Sequence, residues 1–330
     1  MYASVALTAL LATVRDQSTA VATLERALAN DRVASAYLFD GPSGVGKELA
    51  AFGLAQALVC SELKGAAACG VCSACLRAMP FGERKLAKHP DIVVLGRAIY
   101  APEQIGRRTP ETQELSIDQI RTLVLARFAF PPHEGRARVF IVRAAEEMST
   151  SAANALLKVL EEPGSNTYFI LLSSTPDALL PTIRSRTLRI RFGPLPQKTV
   201  KELVTGRVPQ GTEEEAARFA RGSVEEALRL SNAEEIEKKN AFVEKAVAAI
   251  GAVSLREALE LGEEAKKVKE RLGEWLGALA AHFWSKRETA EGELSAKSYT
   301  ETLRALRELD GNASPQLTIE ALFMRLRALR

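Results

Sequence analysis

The sequence predicts an α/β core built on a phosphate-binding loop, followed by two all-helical regions. Three observations carry this. An apolar strand, Ala36-Tyr-Leu-Phe-Asp40, runs directly into Gly41-Pro-Ser-Gly-Val-Gly-Lys47 and then into a helix from Glu48 to Val59. Two further runs, Arg138 to Val142 and Tyr168 to Ser173, have the length and the branched or aromatic content of buried strands, and a periodic helix between them completes a β-α-β unit. Beyond Pro194 and Pro196 every periodic segment reads as helix.

A length of 330 residues allows two or three domains, and 47% hydrophobic content suffices for at least one sizeable core. A net charge of +3 permits contact with DNA without demanding it. The uncharged run Met1 to Val14 lacks the basic start of a secretory leader and is too short to cross a bilayer, so the expected compartment is the cytoplasm, with no membrane partner.

Taken in order, Gln17 to Asp31 has the apolar spacing of an amphipathic helix leading into the core. In the loop that follows, Gly41, Gly44 and Gly46 free the backbone N–H groups to wrap a phosphate at a helix N-terminus, and Lys47 reaches toward terminal phosphates. Glu48 then stands where a Ser or Thr hydroxyl normally holds Mg²⁺. A carboxylate there is expected to repel phosphate oxygens.

All four cysteines follow closely, as Cys60, Cys69, Cys72 and Cys75. Four thiolates so near one another meet the tetrahedral requirement of a closed structural zinc site, against the alternatives of a redox or disulfide role or of unconnected buried thiols. The module spans about residues 60–79, and Phe81 to Lys88 after it is basic and expected to be exposed. His89 has no matching ligand cluster and reads as a turn or core histidine. Ile92 to Leu95 is a strand, Gly96 to Glu114 a long polar loop, and Ser116 starts a helix that ends at Pro131-Pro132.

Ser149 or Ser151 caps the helix of the β-α-β unit, which stops before Pro163-Gly164. A hydrolysing P-loop enzyme ends the first strand of this unit in an Asp that helps hold Mg²⁺, commonly followed by a Glu that polarises water. Here Arg143, Ala144 and Ala145 follow the strand, while Glu146 and Glu147 fall beyond its end. Ser185-Arg186-Thr187 comes after a short helix begun by Pro181, and a guanidinium fork there suits a phosphate. Thr187 to Phe192 is the last strand.

The remainder is helical. Lys198 to Leu203, Glu213 to Ala220 and Ser223 to Leu230 form a three-helix unit, and Ser231 to Glu234 is a short linker. Helices are then expected at Ile236 to Ile250, Leu255 to Leu261, Glu264 to Phe283, Thr300 to Leu309 and Gln316 to Leu329. Leu317, Leu322 and Leu326 are expected to make core or subunit contacts.

At this point the chain resembles a known family, the delta-prime clamp-loader subunits of bacterial DNA polymerase III and, more broadly, their gamma/tau ATPase relatives. The residues that carry the resemblance are Ala36 through Lys47, the four cysteines, Asn154-Ala-Leu-Leu-Lys-Val-Leu-Glu-Glu-Pro163 and Ser185-Arg186. It covers roughly Gln17 to Phe192, with the helical half fitting by order and length. It implies a RecA-like AAA+ core over residues 1–192 with the zinc module inserted, a small helical lid over 193–234 and a helical collar over 235–330.

The resemblance further implies a hetero-pentamer with gamma/tau-type ATPase subunits and a delta subunit, acting on the sliding clamp and primer-template DNA. Arg186 would then reach in trans to a neighbour's ATP, while the chain serves as a stator. Glu48, Arg143-Ala144 and Glu225, at a position where active subunits usually carry a sensor arginine, depart together from a working ATP site, leaving ATP or ADP binding open. Ser173 to Thr175 retain a polar sensor position. The competing readings are a hydrolysing gamma/tau-like ATPase, which Arg143 opposes, and a stand-alone zinc and nucleic-acid module, which lacks aromatic residues in its cysteine segment. An intramolecular ion pair is the competing role for Arg186.

Overall fold

The computed structural model describes residues 9–63, 65–108, 114–128, 130–134, 136–251, 256–267, 271–288, 292–311 and 313–329. Five parallel strands, β1 (Ala36–Asp40), β2 (Ile92–Leu95), β3 (Arg138–Val142), β4 (Thr167–Ser173) and β5 (Leu188–Arg191), make one sheet in the order β2-β3-β4-β1-β5. Parallel strands are covered on both faces and so read as continuous apolar runs. The pleat sends alternate residues to opposite cores. Tyr37, Phe39, Ile141 and Ile170 face the helices α1 (Ser18–Ala29) and α2 (Lys47–Val59), whereas Leu38, Phe140, Val142 and Phe169 face a later helix, Thr150–Glu161. Phe140 and Phe169 stack across β3 and β4 with ring centroids 5.0 Å apart.

Register brings Asp40 beside Ser173 and Val142 beside Leu171, so β1, β3 and β4 present their carboxyl ends together. Ligands of parallel α/β sheets sit outside such ends. The N-terminal segment adds to the core: Leu10–Thr13 forms a 3₁₀ turn whose Leu10 and Leu11 are buried, and the Leu10 N–H donates to Gln56 of α2 at 2.9 Å. Residues 1–8 of the run weighed as a leader lie outside the described residues, as do Lys64 and Pro110.

The cysteine segment carries a short helix, α3 (Ser73–Ala78), followed by an antiparallel pair of two-residue strands, Pro80–Phe81 with Leu86–Ala87, inside the stretch expected to be merely exposed. The helix after Ser116 departs from its expected course, widening into a π turn over Ile120–Leu125 and ending at Phe128. Thr150–Glu161, here α4, takes its cap from Ser149, whose hydroxyl accepts from the Ala152 N–H at 3.1 Å. Arg138 opens β3 yet is buried. Its guanidinium lies 3.4 Å from Asp91 and donates to the Phe130 and Pro131 carbonyls at 2.8 and 2.7 Å.

Contacts divide the chain into two units, Met1–Leu228 and Arg229–Arg330. The helices Gln197–Val204, Glu213–Phe219 and Val224–Leu230 place Val200, Val204, Ala216 and Ala227 in the same apolar cluster as the sheet. In the second unit the helices are Ala233–Gly251, Arg256–Lys267, Leu272–Ser285, Gly292–Asp310 and Pro315–Ala328. Several expectations change there. The supposed linker shortens because its helix begins at Ala233; Arg256–Lys267 continues through Gly262, where the sequence reading broke it, so Glu264 lies inside a helix it was expected to begin; and the helix expected from Thr300 already begins at Gly292. Leu322 and Leu326 join Phe242, Trp275 and Phe323 in the core, while Leu317 is 64% exposed on the other side of its helix. Among the described residues no helix is long and apolar enough to cross a membrane.

Candidate phosphate-binding site and cysteine centre

The loop between β1 and α2 has its three glycines at positive φ, with Gly44 at +70°. A side chain on Gly44 would bring its Cβ within 2.5 Å of the Glu225 nitrogen and 2.6 Å of the Ser223 hydroxyl, so this position needs glycine for both conformation and space. The helix Val224–Leu230 thus rests on the loop: the Val224 N–H donates to the Gly44 carbonyl at 3.2 Å and the Ser43 hydroxyl donates to Glu225 at 2.7 Å.

Lys47 points back into the loop and donates to the Gly41 and Pro42 carbonyls. Burial pushes its pKa down, opposed by the carboxylates of Glu146, Asp40 and Glu225. The surrounding pocket holds about 580 Å³ and is lined by Gly44, Gly46 and Lys47 together with Arg143, Glu146 and Glu225. Gly41 contributes its carbonyl to Lys47 from just outside that lining.

Glu48 and Arg143, expected from sequence to replace the groups that hold magnesium, are paired with each other. One terminal nitrogen of Arg143 donates to both the Glu48 carboxylate and the Lys85 carbonyl and the other donates to the Arg84 carbonyl, the two carbonyl contacts each at 2.8 Å. This corrects the expectation for Glu48: its charge is matched by Arg143 rather than turned on a phosphate. Where a hydroxyl and a carboxylate would leave negative charge for a cation, a carboxylate and a guanidinium cancel.

Glu146 also belongs to the site, in a 3₁₀ turn after β3. It accepts from the Ser174 N–H at 2.9 Å and the Ser174 hydroxyl at 2.7 Å. Burial alone pushes its carboxyl up; the Ser174 bonds outweigh this and hold it below the usual range. Lys85 and Arg207 complete the cationic lining, and sequence reasoning missed both. Lys85 lies in the strand turn that follows the cysteine module and Arg207 after Gln197–Val204, far in sequence from any loop motif.

Arg186 sits elsewhere, after the helical turn Pro181–Arg184. Its guanidinium pairs with Glu161 at 2.7 Å and donates to the Thr182 carbonyl at 3.1 Å, with its side chain 35% exposed. The intramolecular pair weighed from sequence is therefore present.

The cysteines do come together. One sulfur from each of Cys60, Cys69, Cys72 and Cys75 lies within 4.8 Å of all the others, and all four are free of disulfides. Tetrahedral zinc with Zn–S bonds of about 2.3 Å separates its sulfurs by roughly 3.8 Å, and Cys69 Sγ is 3.9 Å from Cys75 Sγ. Backbone N–H groups of Cys69, Cys72 and Cys75 donate to the sulfurs of Cys60, Cys69 and Cys72 at 3.3, 3.3 and 3.4 Å. Such donors stabilise thiolate charge. The donor set fits zinc. His89 is remote from it in role: it is 2% exposed, its Nδ1 accepts from the Asp91 N–H at 3.2 Å and its Nε2 lies 3.2 Å from Glu134.

Comparison with known proteins bears on the first unit. The family described as DNA polymerase III, delta subunit, matches residues 16–196, more than half of the chain. The DNA polymerase III subunit delta' of Pseudomonas aeruginosa is 39% identical over 49% of this chain and 44% of its own length, and that of Bacillus subtilis is 31% identical over 67% and 61%. The DNA polymerase III subunit gamma/tau of Mycobacterium tuberculosis is 36% identical over 58% of this chain and 30% of its own length. The matched stretch thus spans less than two thirds of each of these relatives. A solved gamma subunit-related protein of Thermotoga maritima covers 96% of this chain and 100% of its own at 19% identity, with a TM-score of 0.47.

Proposed function

Because the chain belongs to the delta-prime and gamma/tau family of DNA polymerase III clamp-loader subunits, we propose that it is the stator of the clamp loader, a subunit that hydrolyses no ATP itself and completes the ATP site of a neighbour. The ion pair between Glu48 and Arg143 carries this reading. It removes the two groups that hold magnesium, and Ala144 offers nothing to activate water. Lys47 and the glycine loop keep the shape that binds phosphate, so ATP or ADP binding without turnover is compatible with the site.

In this reading Arg186 acts in trans. A γ-phosphate presented by a gamma/tau-type neighbour competes with Glu161 for the guanidinium, and the fork then stabilises charge as the phosphoryl group transfers. Five subunits, a delta subunit among them, form the ring that opens the sliding clamp and places it on primer-template DNA in the cytoplasm. The four cysteines hold one zinc, which closes the module and supplies no catalytic water.

The test is DNA- and clamp-stimulated ATP hydrolysis by a reconstituted loader carrying the chain or its Arg186→Ala variant, with equal assembly confirmed first. Arginine fingers contribute on the order of 10³ to 10⁵ in rate in GTPases, so a fall of at least about tenfold is expected for one interface of several. An unchanged rate would make Arg186 a purely internal partner of Glu161.

A further inference from the structure

Together with the strand turn of residues 80–87 that follows α3, the cysteine module is linked to the P-loop helix α2 at both ends. At the C-terminal end Cys60 is the residue that terminates the helix, and one turn earlier Gln56, fully buried, donates to the Cys75 carbonyl at 3.3 Å. At the N-terminal end the link runs through Arg143. Its fork joins Glu48, in the first turn of α2, to the carbonyls of Arg84 and Lys85 in the strand turn that follows α3. That turn is set for the purpose: Lys85 holds φ at +47°, a conformation unusual for a side-chain-bearing residue, and the Arg84 guanidinium anchors it by donating to the Ile99 carbonyl at 2.9 Å. One guanidinium therefore reads the carboxylate of the P-loop helix and the backbone of the module at once.

We propose that the cysteine module works as the clamp that fixes Arg143 against Glu48, so that zinc in the module and the ion pair in the phosphate pocket stabilise one another. The inference rests on the reading of the cysteine centre as zinc and is independent of the stator role. Its physical content is linkage. If ordered carbonyls of residues 84 and 85 hold Arg143, then Arg143 in turn holds those carbonyls in the arrangement the zinc module adopts. A lysine at this position keeps the charge for Glu48 but has no planar fork to reach two further carbonyls. The pair would survive and the clamp would not.

Zinc release from the full-length chain to a chromogenic chelator tests this, with zinc content first fixed by elemental analysis and folding checked by circular dichroism. Arg143→Ala and Arg143→Lys are both expected to release zinc faster, in step with a zinc affinity lowered by about 5- to 150-fold, the span typical of coupled sites. Arg189→Ala, which breaks an ion pair to Asp40 on the far edge of the same sheet, is expected to leave the rate unchanged. In parallel, the ¹⁵N signals of the Arg143 guanidinium, assigned by their loss in Arg143→Lys, are expected to be resolved in the zinc protein and to broaden on chelation. Equal release by wild type and both Arg143 variants overturns the clamp, as does equal acceleration in Arg189→Ala, which would mark general loosening. Normal release in Arg143→Lys alone would show that the ion pair suffices without the carbonyls and overturns it too. A chain that contains no zinc overturns the cysteine-centre reading, and this inference with it.

Discussion

His89 illustrates how burial at a single residue becomes a property of the folded unit. Burial pushes its pKa below the ordinary 6.5, with Glu134 pulling the other way and Arg77 adding to the fall. A histidine depressed in the folded state favours folding when neutral. Its contribution is therefore complete above pH 6.5 and is lost as pH falls below that value. Chemical denaturation between pH 7.5 and 5 is expected to show falling stability in the wild type and a flatter profile in His89→Gln. Identical profiles would remove His89 from the account. That His89 is a core residue was legible from the lack of ligands around it. The partners were not: Glu48 and Arg143 are 95 residues apart, Arg138 and Asp91 47, and Glu146 and Ser174 28. A charge in sequence reads as a hazard to its neighbours; only the fold supplies the opposite charge that cancels it.

Among elements, the loop after β1 and the cysteine module are the parts whose sequence most constrained their shape. Gly44 is held between the loop and the helix Val224–Leu230, so Gly44→Ala meets both a positive φ and a clash. A cost of about 2 kcal/mol or more is expected, read as a fall in Tm, while an unchanged Tm would mean the helix does not sit on the loop in solution. Loss of a structural metal belongs with the larger single-site effects, above about 4 kcal/mol. Cys72→Ser should accordingly abolish stoichiometric zinc by elemental analysis and lower Tm by at least about 8 °C; a folded, metal-free wild type of equal Tm would sink the zinc assignment. Other elements escaped the sequence for physical reasons. Strands of two residues, such as Pro80–Phe81, are too short to show any period. Gly262 reads as a helix breaker, yet it lies inside Arg256–Lys267, where an added Cβ would fall 3.1 Å from the Glu320 side chain on the neighbouring helix. Close helix packing overrode propensity there.

At the scale of the whole molecule, the stator reading makes the pocket depart from a working ATP site as a set, so its parts should be recoverable only as a set. Arg143→Asp alone places a second carboxylate beside Glu48, whose own partner is then gone. Glu48→Thr alone leaves the guanidinium of Arg143 without its carboxylate. Each single change is expected to cost about 2 kcal/mol, and the double variant less than the sum, because residues in contact couple. Adding Ala144→Glu restores the water-polarising group as well. The triple variant Glu48→Thr, Arg143→Asp, Ala144→Glu is expected to bind ADP more tightly with Mg²⁺ than with EDTA by titration calorimetry, whereas the wild type is expected to show no such preference. Hydrolysis is a separate requirement. In the stator reading such a site takes its charge stabilisation from a neighbour's arginine, while Arg186 of the same chain is paired to Glu161 away from that pocket. The triple variant should therefore bind metal-nucleotide alone yet turn over ATP only beside a subunit that contributes an arginine. Sustained Mg²⁺-dependent turnover by the isolated wild-type chain, abolished by Lys47→Ala, would instead mean that the pair between Glu48 and Arg143 opens to admit the metal, and the stator assignment would fall.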